Sequence, residues 1–155
     1  KTRTGAKIKL LIAGRLAWQN TDLQQTLAQL RHRTDVQLLG FVADADLPKL
    51  LGAALALTYV SLFEGFGVPV LEAMQAKVPV LTANRSSLPE VAGDAALLVD
   101  PTQVEEIATA LQQLWESATL RQELIAKGEQ QHRRYTWEKA ADVVNAAVSH
   151  ALRET

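Results

Sequence analysis

Apolar residues in this chain occur in two patterns that alternate along its length. Short continuous apolar runs predict buried parallel strands, because both faces of such strands are covered by protein. Segments with apolar residues three or four positions apart predict helices that turn one face toward a core. The predicted strands are 7–13, 36–39, 55–60, 79–82 and 96–99, and the predicted helices are 21–33, 46–54, 68–75, 89–92, 104–115, 120–134 and 137–153.

Strands that alternate with helices at this spacing predict an α/β fold. We expect a Rossmann-like, doubly wound parallel sheet of about five or six strands with a helical C-terminal end, formed as a single domain over residues 1–155. Right-handed crossovers place ligand-binding loops at the carboxyl ends of parallel strands. Gly14, Gly40 and Glu64 each follow the end of a predicted strand. The carboxyl edge of the sheet is therefore the predicted location of a binding site.

The segment after the third predicted strand reads E-G-F-G-V-P-V-L-E and carries the candidate chemistry. Gly65 and Gly67 can adopt positive φ and approach a ligand closely, and Pro69 fits the first turn of a helix. The exposed N–H groups at that helix start favour a phosphate. Glu72 can accept hydrogen bonds from a ribose diol, and Glu64 from sugar hydroxyls. Either feature alone suits a purely structural turn, but their combination predicts a site for a sugar nucleotide.

Composition restricts the classes of function. At 155 residues and 48% hydrophobic content, the chain can form one core of ordinary size. A net charge of −1 argues against a nucleic-acid surface, and the absence of cysteine excludes disulfides and thiolate metal sites. No apolar run reaches the length of a membrane span. Because the sequence opens on Lys1, we expect it to be a piece of a longer protein.

The motif E-G-F-G-V-P-V-L-E-A-M resembles the E-x7-E signature of the family-4 retaining glycosyltransferases, found on the C-terminal, donor-binding domain of their GT-B fold. L-L-I-A-G-R-L-A-W, L-L-G-F-V and N-R-S-S-L-P-E-V-A-G-D-A-A-L-L-V-D-P extend the resemblance over about residues 8–147. The sequence is most similar to the bacterial mannosyltransferase branch that acts in polysaccharide assembly. The resemblance implies transfer of a hexose, with GDP-mannose favoured and a UDP-sugar as the alternative donor, and no obligatory metal.

The resemblance also implies roles for individual residues. Glu72 would hold the ribose, Glu64 the donor sugar, and Arg15 would neutralise the pyrophosphate. No second cation follows Arg15 at 16–19, where the family usually has a lysine, and Lys77 replaces a glycine that usually ends the helix in the left-handed conformation. The implied catalytic residues are Glu64 and Arg15, and the implied donor-binding residues are Gly14, Phe41, Val42, Asp44, Gly65, Phe66, Gly67, Val68, Leu71 and Glu72.

Asp44 has two interpretations. In family members that use GDP-sugars, a carboxylate just after this turn can accept hydrogen bonds from guanine, and Phe41 and Val42 would flank the base. Asp44 also suits a helix N-cap or a solvated loop position. Pro48 suggests that the helix begins nearer Asp46, which would leave Asp44 in the loop.

Three functions remain open from the sequence. In the first, the chain is the donor-binding half of a cytoplasmic glycosyltransferase, inactive without its N-terminal acceptor domain, which could also bring it to the inner membrane face. In the second, it is a stand-alone nucleotide-binding or regulatory module. In the third, it is a dinucleotide oxidoreductase domain, which is weakened because 65–70 lacks the third glycine of G-x-G-x-x-G.

Overall fold

The computed structural model describes residues 1–14 and 21–153. Helices and strands alternate along them, as predicted, and the last third of the chain is helical. The strands are β1 (Leu10–Ala13), β2 (Val36–Gly40), β3 (Leu57–Tyr59), β4 (Val80–Ala83) and β5 (Ala96–Val99). The helices are α1 (Thr21–Gln29), α2 (Leu47–Gly52), α3 (Val68–Gln75), α4 (Leu88–Ala92), α5 (Val104–Glu116), α6 (Ala118–Gln131) and α7 (Trp137–Ala151), with short 3₁₀ turns at Arg33–Asp35 and His132–Arg134.

All strand pairs are parallel, which confirms the predicted α/β class. β1 pairs with β2, and β3, β4 and β5 form a second sheet in that order. The chain divides into two compact units, Lys1–Leu50 and Leu51–Thr155. The first unit contains the β1–β2 pair, and the second contains the three-stranded sheet together with α3 to α7.

In the first unit, β1 begins later than predicted and α1 ends earlier. Beyond α1, the Leu30 and Arg33 N–H groups bond to carbonyls three residues back, at Leu27 and Leu30. Such tight turns end the helical bonding pattern before residue 33. Just after β1, the Gly14 N–H donates to the carbonyl of Gly40, the last residue of β2, at 2.8 Å.

The core of the second unit lies on both faces of β4, whose four residues are all buried. Alternation along the strand turns Val80 and Leu81 to opposite faces of the sheet. Val80 belongs to a cluster of buried side chains from α3 and α4, including Met74 and Leu88. Leu81 belongs to a second cluster, formed with α5 and α6. The central strand therefore fixes the position of α3, whose first turn carries the candidate motif.

The C-terminus of α3 ends in the left-handed turn that the sequence predicts. Lys77 has a φ of 59°, which is unusual for a residue with a side chain. The Val78 N–H donates to the Ala73 carbonyl at 2.9 Å, and the Lys77 N–H to the Met74 carbonyl at 3.1 Å. These two bonds define a Schellman motif. Lys77 also forms an ion pair with Glu129 of α6, at 2.6 Å.

Replacing Lys77 by glycine is expected to raise the free energy of unfolding by about 1 kcal/mol, because glycine adopts positive φ without steric strain. Loss of the ion pair with Glu129, and of a positive charge at the end of α3, offsets part of this gain. Urea denaturation at pH 7 measures the difference.

Lys77→Gln is the matched control, because it removes the charge and keeps a side chain at the strained position. Lys77 holds the pKa of Glu129 below its usual range. A carboxyl with a lowered folded-state pKa stabilises the fold at higher pH, and this contribution is lost as the pH falls through the lowered value. The advantage of Lys77→Gly should therefore grow in acid. If Lys77→Gly were less stable than the wild type both at pH 7 and in acid, the predicted strain at Lys77 would be contradicted.

The end of α6 and the residues after it hold α4 in place. The buried Gln131 side chain donates to the Val91 carbonyl at 3.0 Å, and the Tyr135 hydroxyl donates to the Glu90 carbonyl at 3.0 Å. The last carbonyls of a helix lack partners within the helix, so side chains from elsewhere must satisfy them. These two bonds therefore connect the C-terminal part of the second unit to the helix after β4.

α7 begins where the sequence predicts and buries none of its side chains. The Thr136 hydroxyl accepts from the Lys139 N–H at 3.3 Å, which confirms Thr136 as the N-cap. No helix in the described part of the chain has the length and apolar character needed to cross a membrane.

Candidate functional site

The candidate motif joins β3 to α3 at the carboxyl edge of the three-stranded sheet. α3 spans Val68–Gln75, as predicted, with Pro69 in its first turn. Gly67 is the residue before the helix and has left-handed backbone angles, φ 111° and ψ 41°. The chain thus turns sharply at one residue and enters the helix with its first N–H groups at the end of the loop.

The two glycines of the motif have different functions, which corrects part of the prediction. Gly67 has the expected positive φ, but Gly65 does not, because a single left-handed residue suffices to turn the chain into α3. A Cβ at Gly67 would lie 2.8 Å from Cδ2 of Leu88, whereas a Cβ at Gly65 would meet no atom within 4 Å. Gly67 therefore makes room for the protein's own core, and Gly65 borders open space.

Two serines in the loop after β4 form hydrogen bonds to the backbone of the motif. The Ser86 hydroxyl accepts from the Glu64 N–H at 3.0 Å. The Ser87 hydroxyl lies 2.7 Å from the Phe66 carbonyl and 3.0 Å from the Glu64 carbonyl, so it can donate to either. Ser86 has a positive φ of 51°, a strained conformation of the kind that clusters at functional sites. The loop from Glu64 to Phe66 is thereby held at both its N–H and its carbonyl groups.

The N–H groups that follow are free of protein acceptors. Within residues 1–14 and 21–153, no group accepts a hydrogen bond from the backbone N–H of Phe66, Gly67 or Val68. Gly67 is nevertheless a buried residue. Phe66 and Val68 on either side of it are exposed, and N–H groups without a partner at a helix N-terminus are suited to an anion. The geometry can therefore bind a phosphate at this turn.

Glu64 has one defined side-chain partner. The hydroxyl of Tyr59, the last residue of β3, donates to Oε1 of Glu64 at 2.6 Å. Burial, reinforced by the hydrogen bond to Glu64, raises the pKa of Tyr59 to about 12. The phenol therefore keeps its proton near neutral pH and acts as the donor, and the carboxylate acts as the acceptor.

Glu72 lies in the second turn of α3 and is partly exposed. Its helix neighbours Ala73 and Met74 are buried, and Leu71 packs partly buried against the same core cluster. No residue that the structure describes forms a hydrogen bond or ion pair with the Glu72 carboxylate. The second carboxylate of the motif is thus available to a ligand, whereas Leu71 supports the helix from inside.

Phe66 occupies the tip of the turn and is partly exposed, with 43% of its surface accessible. Its ring meets the edge of the Tyr135 ring, with centroids 5.6 Å apart and planes at 81°. This is a favourable edge-to-face geometry. Val68 is exposed beside it, so the turn presents apolar side chains next to its N–H groups.

The other implied binding residues that the structure describes belong to the first unit. Gly14 has a φ of 135°, Phe41 is exposed and Val42 is half-buried. Asp44 lies exposed in the turn before α2. α2 begins at Leu47, so Asp44 lies in the turn before the helix and does not directly precede it. Arg15 lies outside the described residues.

Sequence reasoning missed four residues that shape or border the site: Tyr59, Arg85, Ser86 and Ser87. Arg85 follows β4, and its guanidinium contacts both oxygens of Asp100, at 3.0 and 3.2 Å. Thr102, and to a smaller extent Arg85, hold the pKa of Asp100 below its usual range. Arg85 is therefore already paired with Asp100. The position of Ser86 and Ser87 just after a predicted strand was the available signal.

No group of three or more histidine, aspartate or glutamate side chains in the described ranges is arranged to hold a metal ion. The donors that the site does offer are backbone N–H groups, and its acceptors are two carboxylates. This combination suits an anionic ligand that also carries hydroxyl groups.

Several solved structures have the fold of this chain. Sucrose-phosphate synthase from Thermosynechococcus elongatus matches 95% of this chain and 39% of its own, with a TM-score of 0.83 and 20% identity. Anabaena HepE in complex with UDP-glucose matches 95% of this chain and 41% of its own, with a TM-score of 0.70 and 23% identity. The C-terminal domain of a glycosyl transferase group 1 family protein from Francisella tularensis matches 69% of this chain and 56% of its own, with a TM-score of 0.61 and 31% identity. These matches confirm the predicted Rossmann-like fold of the GT-B glycosyltransferases.

The chain belongs to the glycosyl transferases group 1 family, whose model matches residues 1–131. O-antigen chain mannosyltransferase B of Escherichia coli is 37% identical over 144 residues, which cover 92% of this chain and 38% of the relative. An MMP alpha-(1->4)-mannosyltransferase of Mycolicibacterium hassiacum is 30% identical over 140 residues, covering 86% and 33%. The predicted family and its bacterial mannosyltransferase branch are confirmed. The chain spans less than two fifths of the length of these relatives.

Proposed function

We propose that this chain is the donor-binding domain of a retaining glycosyltransferase that transfers mannose from GDP-mannose to an acceptor hydroxyl. One observation carries this proposal: the unpartnered N–H groups at the left-handed start of α3 lie in the same short segment as two carboxylates. A sugar nucleotide presents the complementary groups, which are a diphosphate and two sets of hydroxyls.

Each part of the donor has a partner in this proposal. The N–H groups of Phe66, Gly67 and Val68 bind the diphosphate, supported by the positive end of the α3 dipole. Glu72 accepts from the ribose hydroxyls, and Glu64 from the hydroxyls of the donor sugar. As the bond to the sugar breaks, negative charge accumulates on the departing diphosphate, and preorganised N–H donors and the Arg15 cation stabilise it. No metal ion is required for this step.

The mannosyltransferase relatives support mannose, and the exposed Asp44, in the turn before α2, suits recognition of guanine. A UDP-sugar is the alternative, because HepE was solved with UDP-glucose. The acceptor site belongs to an N-terminal domain outside this chain, so the chain binds the donor but does not catalyse transfer alone. The whole enzyme acts in the cytoplasm, at the membrane face if that domain attaches there.

Calorimetric titration of the chain with GDP, UDP, ADP and NAD tests the proposal. We expect GDP to bind most tightly, and Asp44→Ala to remove the preference for GDP over UDP. Asp142→Ala is the matched control, because Asp142 is an exposed aspartate on α7. Tight binding of NAD without binding of nucleoside diphosphates would overturn the glycosyltransferase assignment. A preference for UDP would retain that assignment and overturn GDP-mannose as the donor.

A further inference from the structure

The backbone of Tyr59 is fixed by the central strand of the sheet. Tyr59 pairs with Thr82 in the parallel register of β3 and β4. The Thr82 side chain is fully buried, and its hydroxyl donates to the Tyr59 carbonyl at 2.7 Å. The phenol at the end of β3 therefore projects from a rigid position, since its strand pairs with the fully buried β4 and gains an additional side-chain bond from it.

The main chain of Glu64 is fixed as well, by a different loop. Its N–H donates to Ser86, and its carbonyl lies within hydrogen-bond distance of Ser87. The Glu64 side chain is thus the remaining source of freedom at this residue. The Tyr59 hydroxyl holds one of its oxygens, Oε1, at 2.6 Å, and the other oxygen has no partner among the described residues.

We propose that Tyr59 is a positioning residue, which holds Oε1 of Glu64 so that the second carboxylate oxygen faces the donor sugar. The inference rests on the proposed function, because it requires that Glu64 contact the sugar. A side chain locked into one rotamer before binding loses less entropy when the ligand arrives. Tyr59 therefore increases affinity for the sugar part of the donor, and has no effect on the nucleotide part.

The variant Tyr59→Phe tests this inference, because it removes the hydroxyl and keeps the ring. Calorimetry of the chain with GDP-mannose and with GDP should show about a five- to tenfold loss of affinity for GDP-mannose, the size expected when one side chain must be ordered on binding. Affinity for GDP should stay within about twofold of the wild type, a change well under 1 kcal/mol. If Tyr59 had a purely structural function, Tyr59→Phe would instead lower the affinities for GDP-mannose and for GDP together.

Two further variants sharpen the test. Thr58→Val removes a hydroxyl from the adjacent position of β3 and should leave the ratio of the two affinities unchanged. In a Glu64→Ala background, Tyr59→Phe should have no additional effect on GDP-mannose, because the carboxylate that it positions is gone. Circular dichroism confirms that each variant is folded.

The outcomes separate this inference from the proposed function. A wild-type chain that binds neither GDP nor UDP, nor their sugars, would overturn the proposed function. A chain that binds GDP, but in which Tyr59→Phe changes both affinities equally or changes neither, would overturn only the positioning by Tyr59. If UDP is preferred, UDP-glucose and UDP replace the two probes and the same comparison decides.

Discussion

Gly67→Ala is expected to lower the free energy of unfolding by about 2 to 5 kcal/mol. The added methyl group would lie 2.8 Å from Cδ2 of the fully buried Leu88. The new alanine at position 67 would also be held at a φ of 111°. Overpacking of a dense core typically costs about 1–3 kcal/mol, and a side chain at positive φ costs about 1–2 kcal/mol more. Urea denaturation followed by circular dichroism measures the loss.

Gly65→Ala is the matched control in the same turn. Gly65 lies outside the left-handed region, and an added Cβ would meet no atom within 4 Å. We therefore expect a change within about 0.5 kcal/mol, or a slight gain from reduced freedom of the unfolded chain. Equal losses for the two variants would show that the contact with Leu88 does not define the turn.

Glu72→Gln is expected to weaken GDP binding by about 10- to 100-fold. Hydrogen bonds from hydroxyls to a carboxylate contribute about 1.5–3 kcal/mol, and an amide oxygen accepts more weakly. The structure leaves the Glu72 carboxylate without a protein partner in the described part of the chain, so its loss should cost binding and not folding. Calorimetry with GDP measures the affinity, and urea denaturation verifies the stability.

A ligand change makes this test specific to the ribose. The wild type should bind GDP more tightly than 2′-deoxy-GDP, and Glu72→Gln should discriminate less between them. Glu123→Gln is the control, because Glu123 is an exposed glutamate on α6. Unchanged affinity of Glu72→Gln for GDP would remove the ribose function of Glu72.

Local sequence signals predicted the elements that carry the motif. The start of α3 follows from Gly67 and Pro69, which define a helix start. The left-handed conformation of Lys77 was implied by the resemblance, because the family usually has a glycine at this helix end. β5 also has its predicted bounds, because a short apolar run lies between turn residues. Each of these features depends on residues close together in the chain.

The features that escaped prediction depend on contacts between distant positions. Ser86 and Ser87 bond to a loop 22 and 23 positions earlier, and no periodic pattern reveals that pairing. Both Gly65 and Gly67 can adopt a positive φ because they lack a Cβ, and the sequence does not reveal that the turn uses only Gly67 in this way. The residue that leaves no room for a Cβ at Gly67 is Leu88, which lies on a different helix. Only the packing of the two helices brings these positions together, so the sequence does not show the contact.

The hydroxyl of Tyr135 determines where this polypeptide can be shortened. Tyr135 completes the end of α4 and touches the ring of Phe66, so the tail past α6 is part of the same cooperative unit as the turn into α3. Truncation before Tyr135 should loosen that turn although it removes none of the turn's own residues. Truncation after Thr136 would remove α7, which buries no side chain, and should leave the remaining globule intact.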